Sequence, residues 1–268
     1  MINWAWFGLR SGRVTTPWPE DPGDDGQKGV YGMPRFHPAR CEAGCSDCVS
    51  ACPTGAITQS PEGRTGIDYA RCISCQRCTE VCPTGAFEPS AEWAFAVRDR
   101  ADLIFREAGS EPTDGPKPTP RRVPRELKRS LHIRHLDAGS CNGCESELEA
   151  LLNPFYNLHR LGIFFTPSPR FADLLLVTGP VTIAMREPLL RTYEAMPEPR
   201  FVMATGTCAT GGGIAGGGYT CHQGLQGILP VDLWLPGCPP NPAAILDALL
   251  VLLDRRPARV QCGQLETP

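Results

Sequence analysis

The chain has 268 residues, a formal net charge of -3 and 14 cysteines, with 41% hydrophobic and 21% charged residues. That length accommodates two domains with cores of their own, and so small a charge leaves no nucleic-acid footprint. Cysteines at this number in so long a chain argue against a short secreted disulfide scaffold and for reduced thiols.

Residues 1–30 read as a docking arm. Trp4, Trp6, Phe7 and Leu9 form an aromatic-rich stretch ahead of a Pro/Gly/Asp loop at 17–29. Such a stretch suits a membrane interface, a partner subunit or the chain's own core. The start has no basic n-region, long apolar h-region or twin arginine, so export is not expected and any metal groups are expected to be inserted in the cytoplasm. No segment approaches the ~20 apolar residues of a membrane span. The stretch 243–253 is interrupted by Asp247 and reads as a core helix.

Residues 31–108 carry two near-copies of one motif, Cys41-x3-Cys45-x2-Cys48-x3-Cys52-Pro53 and Cys72-x2-Cys75-x2-Cys78-x3-Cys82-Pro83. This is the spacing of a bacterial-type ferredoxin with two 4Fe-4S clusters, in which the fourth cysteine of each run crosses over to the other cluster. The first cluster is expected on Cys41, Cys45, Cys48 and Cys82, the second on Cys52, Cys72, Cys75 and Cys78. Cys52-Pro-Thr-Gly-Ala recurs 30 residues on as Cys82-Pro-Thr-Gly-Ala, which points to a duplicated half-domain. The first copy has one extra residue between Cys41 and Cys45, expected to reshape that turn. Zinc is the competing occupant, and a zinc-binding scaffold the competing function, but structural zinc favours two distant C-x2-C knuckles.

Apolar residues Trp93, Val97, Ile104 and Phe105 predict a short helix over 93–105. The stretch 109–124, rich in Pro, Gly and polar residues, reads as a linker. Arg121, Arg122, Arg125, Lys128 and Arg129 then form a basic run, suited to a solvated face or an acidic partner.

Residues 125–268 alternate strand and helix patterns: strands at 131–136, 174–177, 201–204 and 231–235, helices at 145–152, 187–196 and 242–253. The rhythm predicts an α/β fold with a doubly wound parallel sheet, beside the α+β ferredoxin domain. Cys141 and Cys144 follow the first strand, Cys208 the third and Cys238 the fourth. All four therefore lie beyond carboxyl ends, the edge where open parallel sheets bind ligands. They are the expected ligands of a third 4Fe-4S cluster, with Gly139, Gly143, Gly206 and Gly237 allowing tight turns and close backbone approach. The glycine-rich stretch 211–222 lacks a phosphate-loop pattern and reads as an interface loop. Cys221 and His222 within it read as packing or interface residues, and Cys262 as a free thiol.

Asp137-Ala-Gly-Ser-Cys141-Asn-Gly-Cys144-Glu145, Thr205-Gly-Thr-Cys208 and Pro236-Gly-Cys238-Pro-Pro240 resemble the small subunit shared by membrane-bound nickel-iron hydrogenases and respiratory complex I. The likeness covers roughly 129–253. It implies a flavodoxin-like sheet holding the 4Fe-4S cluster nearest the active site of a separate large subunit. Residues 8–16 and the double cysteine motif resemble the two-cluster ferredoxin subunit of the same complexes, so the chain resembles a fusion of two neighbouring subunits. Complex I small subunits have adjacent cysteines at the first ligand position; here Asn142 and Gly143 separate them, as in the formate hydrogenlyase and energy-converting hydrogenase branch. The resemblance implies three 4Fe-4S clusters relaying electrons from a donor module to a nickel-iron large subunit, beside integral membrane subunits and peripheral to the cytoplasmic face of the membrane. Glu145 has two readings, a proton relay at the large-subunit interface or an acid favoured in a helix first turn. The alternative function is a complex I-like subunit that passes electrons to quinone.

Overall fold

The computed structural model describes residues 2–12, 18–19, 27, 29–106 and 121–265. The expected linker therefore lies outside the described residues as far as residue 120. The cysteine-rich half is built from two similar units. In each, a 3-10 turn (Pro38–Arg40, Tyr69–Arg71) runs into a cysteine loop and a short helix (Asp47–Ala51, Arg77–Val81). A strand follows each helix: Ile57–Gln59 pairs with Thr65–Asp68, which pairs in turn with Ile104–Arg106, and Phe87–Glu88 pairs with Arg35–Phe36. The extra residue of the first unit is absorbed at Gly44, whose φ of 82° is readily adopted only by glycine.

Residues 93–105 do not form the predicted helix. Val97 instead makes an antiparallel bridge to Trp234, with N-H···O bonds of 3.0 and 2.8 Å in the two directions. Ala94, Phe95, Ala96 and Val97 are all buried, so the chain runs between two apolar surfaces and its spacing carries no helical face. Asp99 then accepts a hydrogen bond from the Ala101 N-H and caps a 3-10 turn at Arg100–Leu103.

The second half is a five-stranded parallel sheet in spatial order Leu233–Leu235, Phe201–Thr205, Leu174–Thr178, Leu131–Asp137, Ile163–Phe165. Counted along the chain this is order 2-1-3-4-5, the flavodoxin-like arrangement, and the topological switch falls between the Leu131 and Leu174 strands. The edge strand Ile163–Phe165 has no strand signal beyond three apolar residues and was not expected. The helix predicted at 187–196 begins earlier, at Ile183–Glu194, because the Thr182 hydroxyl accepts from the Met185 N-H and fixes the start; Pro188 is carried inside it. Pro242–Leu252 is buried along its whole length, as its sequence predicts, and Asn241 caps it by accepting from the Ala244 N-H at 2.7 Å. Asp247 within it is offset by Arg256 at 3.2 Å.

The sheet has apolar residues on both faces. On one, Leu131, Ile133, Leu174, Leu176, Phe201 and Met203 pack beneath the Pro242–Leu252 helix. On the other, Leu175, Val177, Val202 and Trp234 share one buried cluster with Tyr69, Phe95, Val97 and Leu103 of the cysteine-rich half. The two halves thus share a core. One close seam lies between the Tyr69–Arg71 turn and the Thr207–Gly211 helix. Thr210 donates to the Ala70 carbonyl at 2.7 Å, and a Cβ added at Gly211 would lie 2.5 Å from that oxygen.

Two cations of the basic run are used internally: Arg121 donates to Asp232 at 2.7 Å and Lys128 to Asp254 at 3.0 Å. The N-terminal stretch forms a helix, Ile2–Ser11, whose Trp4 (81% exposed) and Trp6 (66%) do not cap the chain's own core. Trp18 does, packing edge-on against Trp93 and Tyr156.

Replacing Gly211 by Ala should overpack the seam and cost about 1–3 kcal/mol, seen as a lower thermal unfolding midpoint of the metal-loaded chain. An unchanged midpoint would mean the seam yields freely. Asn241→Ala should cost about 1 kcal/mol by removing the cap, read in the same assay.

Candidate iron-sulfur sites

Each unit of the cysteine-rich half presents its thiols by the same device. Cys41 and Cys72 end their 3-10 turns, with N-H bonds back to Pro38 and Tyr69 at 2.9 and 3.1 Å. Cys48 and Cys78 sit in the short helices, and Cys52 and Cys82 cap the ends of those helices. Burial first, then the charges of Cys41, Cys45 and Cys82, push the Cys48 thiol up to about 11. Burial first, then Cys72, Cys75 and Cys52, push Cys78 up to about 12. Cys82 of the second unit thus lies within electrostatic range of Cys48, and Cys52 of the first within range of Cys78.

The crossing cysteines have a different environment. Burial alone would raise Cys52, but hydrogen bonds from the Thr54 hydroxyl and from nearby backbone amides bring it below the ordinary thiol value. At Cys82 burial likewise raises, while amides of Phe87, Thr84 and Ala86 and the Thr84 hydroxyl outweigh it. The Ala56 N-H donates to Cys52 Sγ and the Ala86 N-H to Cys82 Sγ, each at 3.2 Å, so the duplicated units repeat even this contact. Neither threonine was singled out in the sequence, though both stand in the repeated Cys-Pro-Thr-Gly-Ala.

The third group gathers beyond the carboxyl ends of the sheet. Cys141 lies in the loop after Leu131–Asp137, Cys144 in the first turn of Gly143–Ala150, Cys208 in Thr207–Gly211 and Cys238 after Leu233–Leu235. Cys144 is pushed up by burial, then by Glu145, Cys208, Cys238 and Cys141. Cys208 is pushed up to about 11 by burial, then by Cys238, Cys141, Cys221 and Glu145. The loops close round the sulfurs without room to spare. A Cβ at Gly206, whose φ is +88°, would lie 2.6 Å from Cys144 Sγ, and one at Gly213 2.8 Å from Cys208 Sγ. Gly206 was expected on the sequence; Gly213 was hidden in the glycine-rich stretch.

The second and third groups are neighbours. Burial dominates the upward shift of Cys238, and its next causes are Cys141 of its own group and Cys75 of the second. The charge of Cys238 in turn contributes to raising Cys72, below burial and the nearer thiols, to about 12. Thr207, 1% exposed, stands between them: its hydroxyl donates to the Cys72 carbonyl at 2.7 Å and accepts from the Gly237 N-H at 3.1 Å. Sequence reading passed over this residue, because nothing in Thr205-Gly-Thr-Cys208 says what the hydroxyl meets.

Glu145 is tied on both oxygens, accepting from Ser140 Oγ at 2.7 Å and from the Thr178 hydroxyl, with His135 Nε2 at 3.5 Å. These contacts anchor the Cys144 helix to the Leu131 and Leu174 strands. The proton-relay expectation for Glu145 rests on the resemblance alone. Cys221 is half-buried in a bridge to Thr182, near Cys208, and His222 donates its N-H to the Val181 carbonyl at 3.0 Å. Cys262 is an exposed free thiol at a turn between Val260–Gln261 and Gln264–Leu265.

The donor set fits cubane iron-sulfur clusters. Each group offers four thiols whose mutual repulsion a cationic metal core would relieve, amide and hydroxyl donors reach the crossing sulfurs, and glycines admit the sulfurs of the third group.

Comparison with known proteins matches two separate segments of the chain. Residues 35–86, which contain the first eight of these cysteines, match the 4Fe-4S dicluster domain. Residues 141–252, which contain the other four, match the NADH ubiquinone oxidoreductase 20 kDa subunit. Formate hydrogenlyase subunit 7 of Escherichia coli (strain K12) is 40% identical over 159 residues, 54% of this chain and 62% of that protein. This chain therefore spans less than two thirds of that relative. NAD(P)H-quinone oxidoreductase subunit K of a Synechococcus species is 40% identical over 181 residues, covering 61% of this chain and 69% of that one. A probable membrane-bound hydrogenase subunit of Pyrococcus furiosus is 44% identical over 129 residues, 48% of this chain and 77% of its own length. On this likeness the chain belongs to the 20 kDa subunit family that hydrogenase-type and complex I-type oxidoreductases share, joined in one polypeptide to a 4Fe-4S dicluster domain.

Proposed function

We propose that this chain is the electron-transfer subunit of a membrane-associated, formate hydrogenlyase-like hydrogenase complex. It relays electrons through three 4Fe-4S clusters between a donor module and a nickel-iron site on a separate large subunit. The observation that carries the reading is the Thr207 hydroxyl, which joins the Cys72 carbonyl to the Gly237 N-H beside Cys238; on this reading the ferredoxin pair and the third site would form one path. When bound, each cluster supplies one-electron redox capacity. The chain's residues do the rest. Cys41, Cys45, Cys48 and Cys82 would hold the first cluster, Cys52, Cys72, Cys75 and Cys78 the second, and Cys141, Cys144, Cys208 and Cys238 the third. The N-H groups of Ala56 and Ala86 stabilise negative charge on Cys52 and Cys82, and burial of Cys48 and Cys78 limits water at those two thiols, whereas Cys75, Cys141 and Cys238 are exposed.

The two domains of this reading are residues 31–108 and 125–268, with 109–124 as linker and 1–30 as an arm that docks on neighbouring subunits. Among the described residues no helix is long and apolar enough to cross a membrane. Integral membrane subunits would therefore anchor the complex, with this chain peripheral to them at the cytoplasmic face.

A second reading, electron delivery to quinone, is favoured by the likeness to the NAD(P)H-quinone oxidoreductase subunit. Separation of Cys141 from Cys144 by Asn142 and Gly143 favours the hydrogenase reading. Metal analysis of the gently purified complex decides between them. About one nickel per complex together with hydrogen evolution is the expected result; an iron-rich complex without nickel would favour quinone. Cys238→Ala should lower iron from about twelve atoms per chain by about four and abolish hydrogen turnover, leaving the two ferredoxin clusters visible by electron paramagnetic resonance. Normal turnover in that variant would remove the third cluster from the path.

A further inference from the structure

We propose that the Thr207 hydroxyl is a positioning group for electron transfer between the second and third sites, joining the Cys72 loop to the Cys238 loop through one oxygen. The inference rests on the relay reading above and extends it to a residue that binds no iron. The hydroxyl donates to the carbonyl of one expected ligand, Cys72, and accepts from the N-H of Gly237, the residue before another, Cys238. Thr207 also precedes Cys208 directly, and its own N-H donates to the Gly237 carbonyl at 2.8 Å. Three ligand-bearing loops thus converge on a single buried side chain.

The hydroxyl is hydrogen-bonded to both ligand loops at once. Its geometry is held from several sides. The Gly206 N-H is bonded to the Leu235 carbonyl at 2.8 Å, and Gly237 has φ +144° with Pro240 packed 2.5 Å from where its Cβ would stand. The loop before Cys238 consequently has little freedom, and a donor that fixes the Cys72 carbonyl against it fixes the separation of the two sites. With clusters bound at both sites, the step would move one electron between them, one cluster losing what the other gains, with no bond made or broken and the hydroxyl proton retained by Thr207.

Thr210 supplies an internal control. It lies about one turn further along the same helix, is fully buried, and donates to the Ala70 carbonyl at the same 2.7 Å. It secures the same seam, and its other hydroxyl contacts, to the Gly206 and Thr207 carbonyls at 3.3 and 3.4 Å, stay within its own segment, so it bonds to neither Cys72 nor Gly237. A purely structural role would make the two threonines equivalent.

The test uses the cluster-loaded full chain as Thr207→Val, Thr207→Ala, Thr207→Ser and Thr210→Val variants. Iron content, the cluster midpoint potentials and the magnetic coupling between the second and third clusters are read by electron paramagnetic resonance. The rate of transfer between them after rapid reduction is followed by freeze-quench. Thr207→Val should keep full iron, weaken the coupling and slow the transfer about tenfold, the scale typical of losing a hydrogen bond behind a metal ligand. Thr207→Ser should restore both, and Thr210→Val should lower the unfolding midpoint with transfer unchanged. Wild-type transfer and coupling in Thr207→Val overturn the proposal, as does equal slowing in Thr210→Val. Loss of iron in both Thr207→Val and Thr207→Ala also overturns it, because the hydroxyl would then serve assembly. Failure of the relay reading is separable: the wild-type chain would then show no transfer between the clusters at all.

Discussion

The contact on which the arrangement depends is the approach of the Tyr69–Arg71 turn to the Thr207–Gly211 helix, close enough that residue 211 can carry no side chain. Backbone can come this near backbone only where a Cβ is missing and where the carbonyls forced together find donors. Gly211 meets the first condition. Thr207 and Thr210 meet the second, one hydroxyl for Cys72 and one for Ala70. The same approach that buries Ala70 also carries the Cys72 loop toward the Cys238 loop, so the seam that joins the two halves is also the seam between the second and third cysteine groups.

Holding four thiols together is an electrostatic problem that the protein leaves unsolved until metal arrives. Burial and mutual repulsion raise Cys48, Cys78 and Cys208 well above an ordinary thiol, and Cys144 has the added charge of Glu145 beside it. Iron, when bound, would supply positive charge there, and its binding would release the thiol protons. Against that background the crossing cysteines Cys52 and Cys82 are distinct, because amides and a threonine hydroxyl stabilise each thiolate directly. The Cys-Pro-Thr-Gly-Ala repeat is thereby explained as chemistry. Proline ends the helix, threonine donates, and glycine, at φ 58° and 65° in the two copies, turns the chain so that the alanine N-H faces the sulfur.

Glu145 illustrates a different balance. Ser140 and Thr178 both donate to it, and His135 lies close, so a carboxylate next to a thiol cluster is held by neutral donors. Burial lowers the affinity of His135 for a proton, although Glu145 and Asp137 act in the opposite direction. These contacts fix the first turn of the helix bearing Cys144, in the crevice where the sheet order reverses.

Much of this was legible in the sequence because the determinants are local. Ligand spacing, the duplicated pentapeptide, the Asn241 cap and the apolar runs of the buried strands each act over a few residues, and the strand-helix rhythm admits few topologies. Residues 93–105 misled because their apolar spacing reflects two covering surfaces supplied by distant parts of the chain. The helix predicted at 187–196 starts earlier than expected because the cap at Thr182 decides where it begins. By itself the sequence determined that eight cysteines fall in a duplicated motif and that the last four lie at the carboxyl edge of a parallel sheet. Only the tertiary structure decided that the second and third groups adjoin and that Thr207 joins them, since both follow from one close packing of segments 135 residues apart.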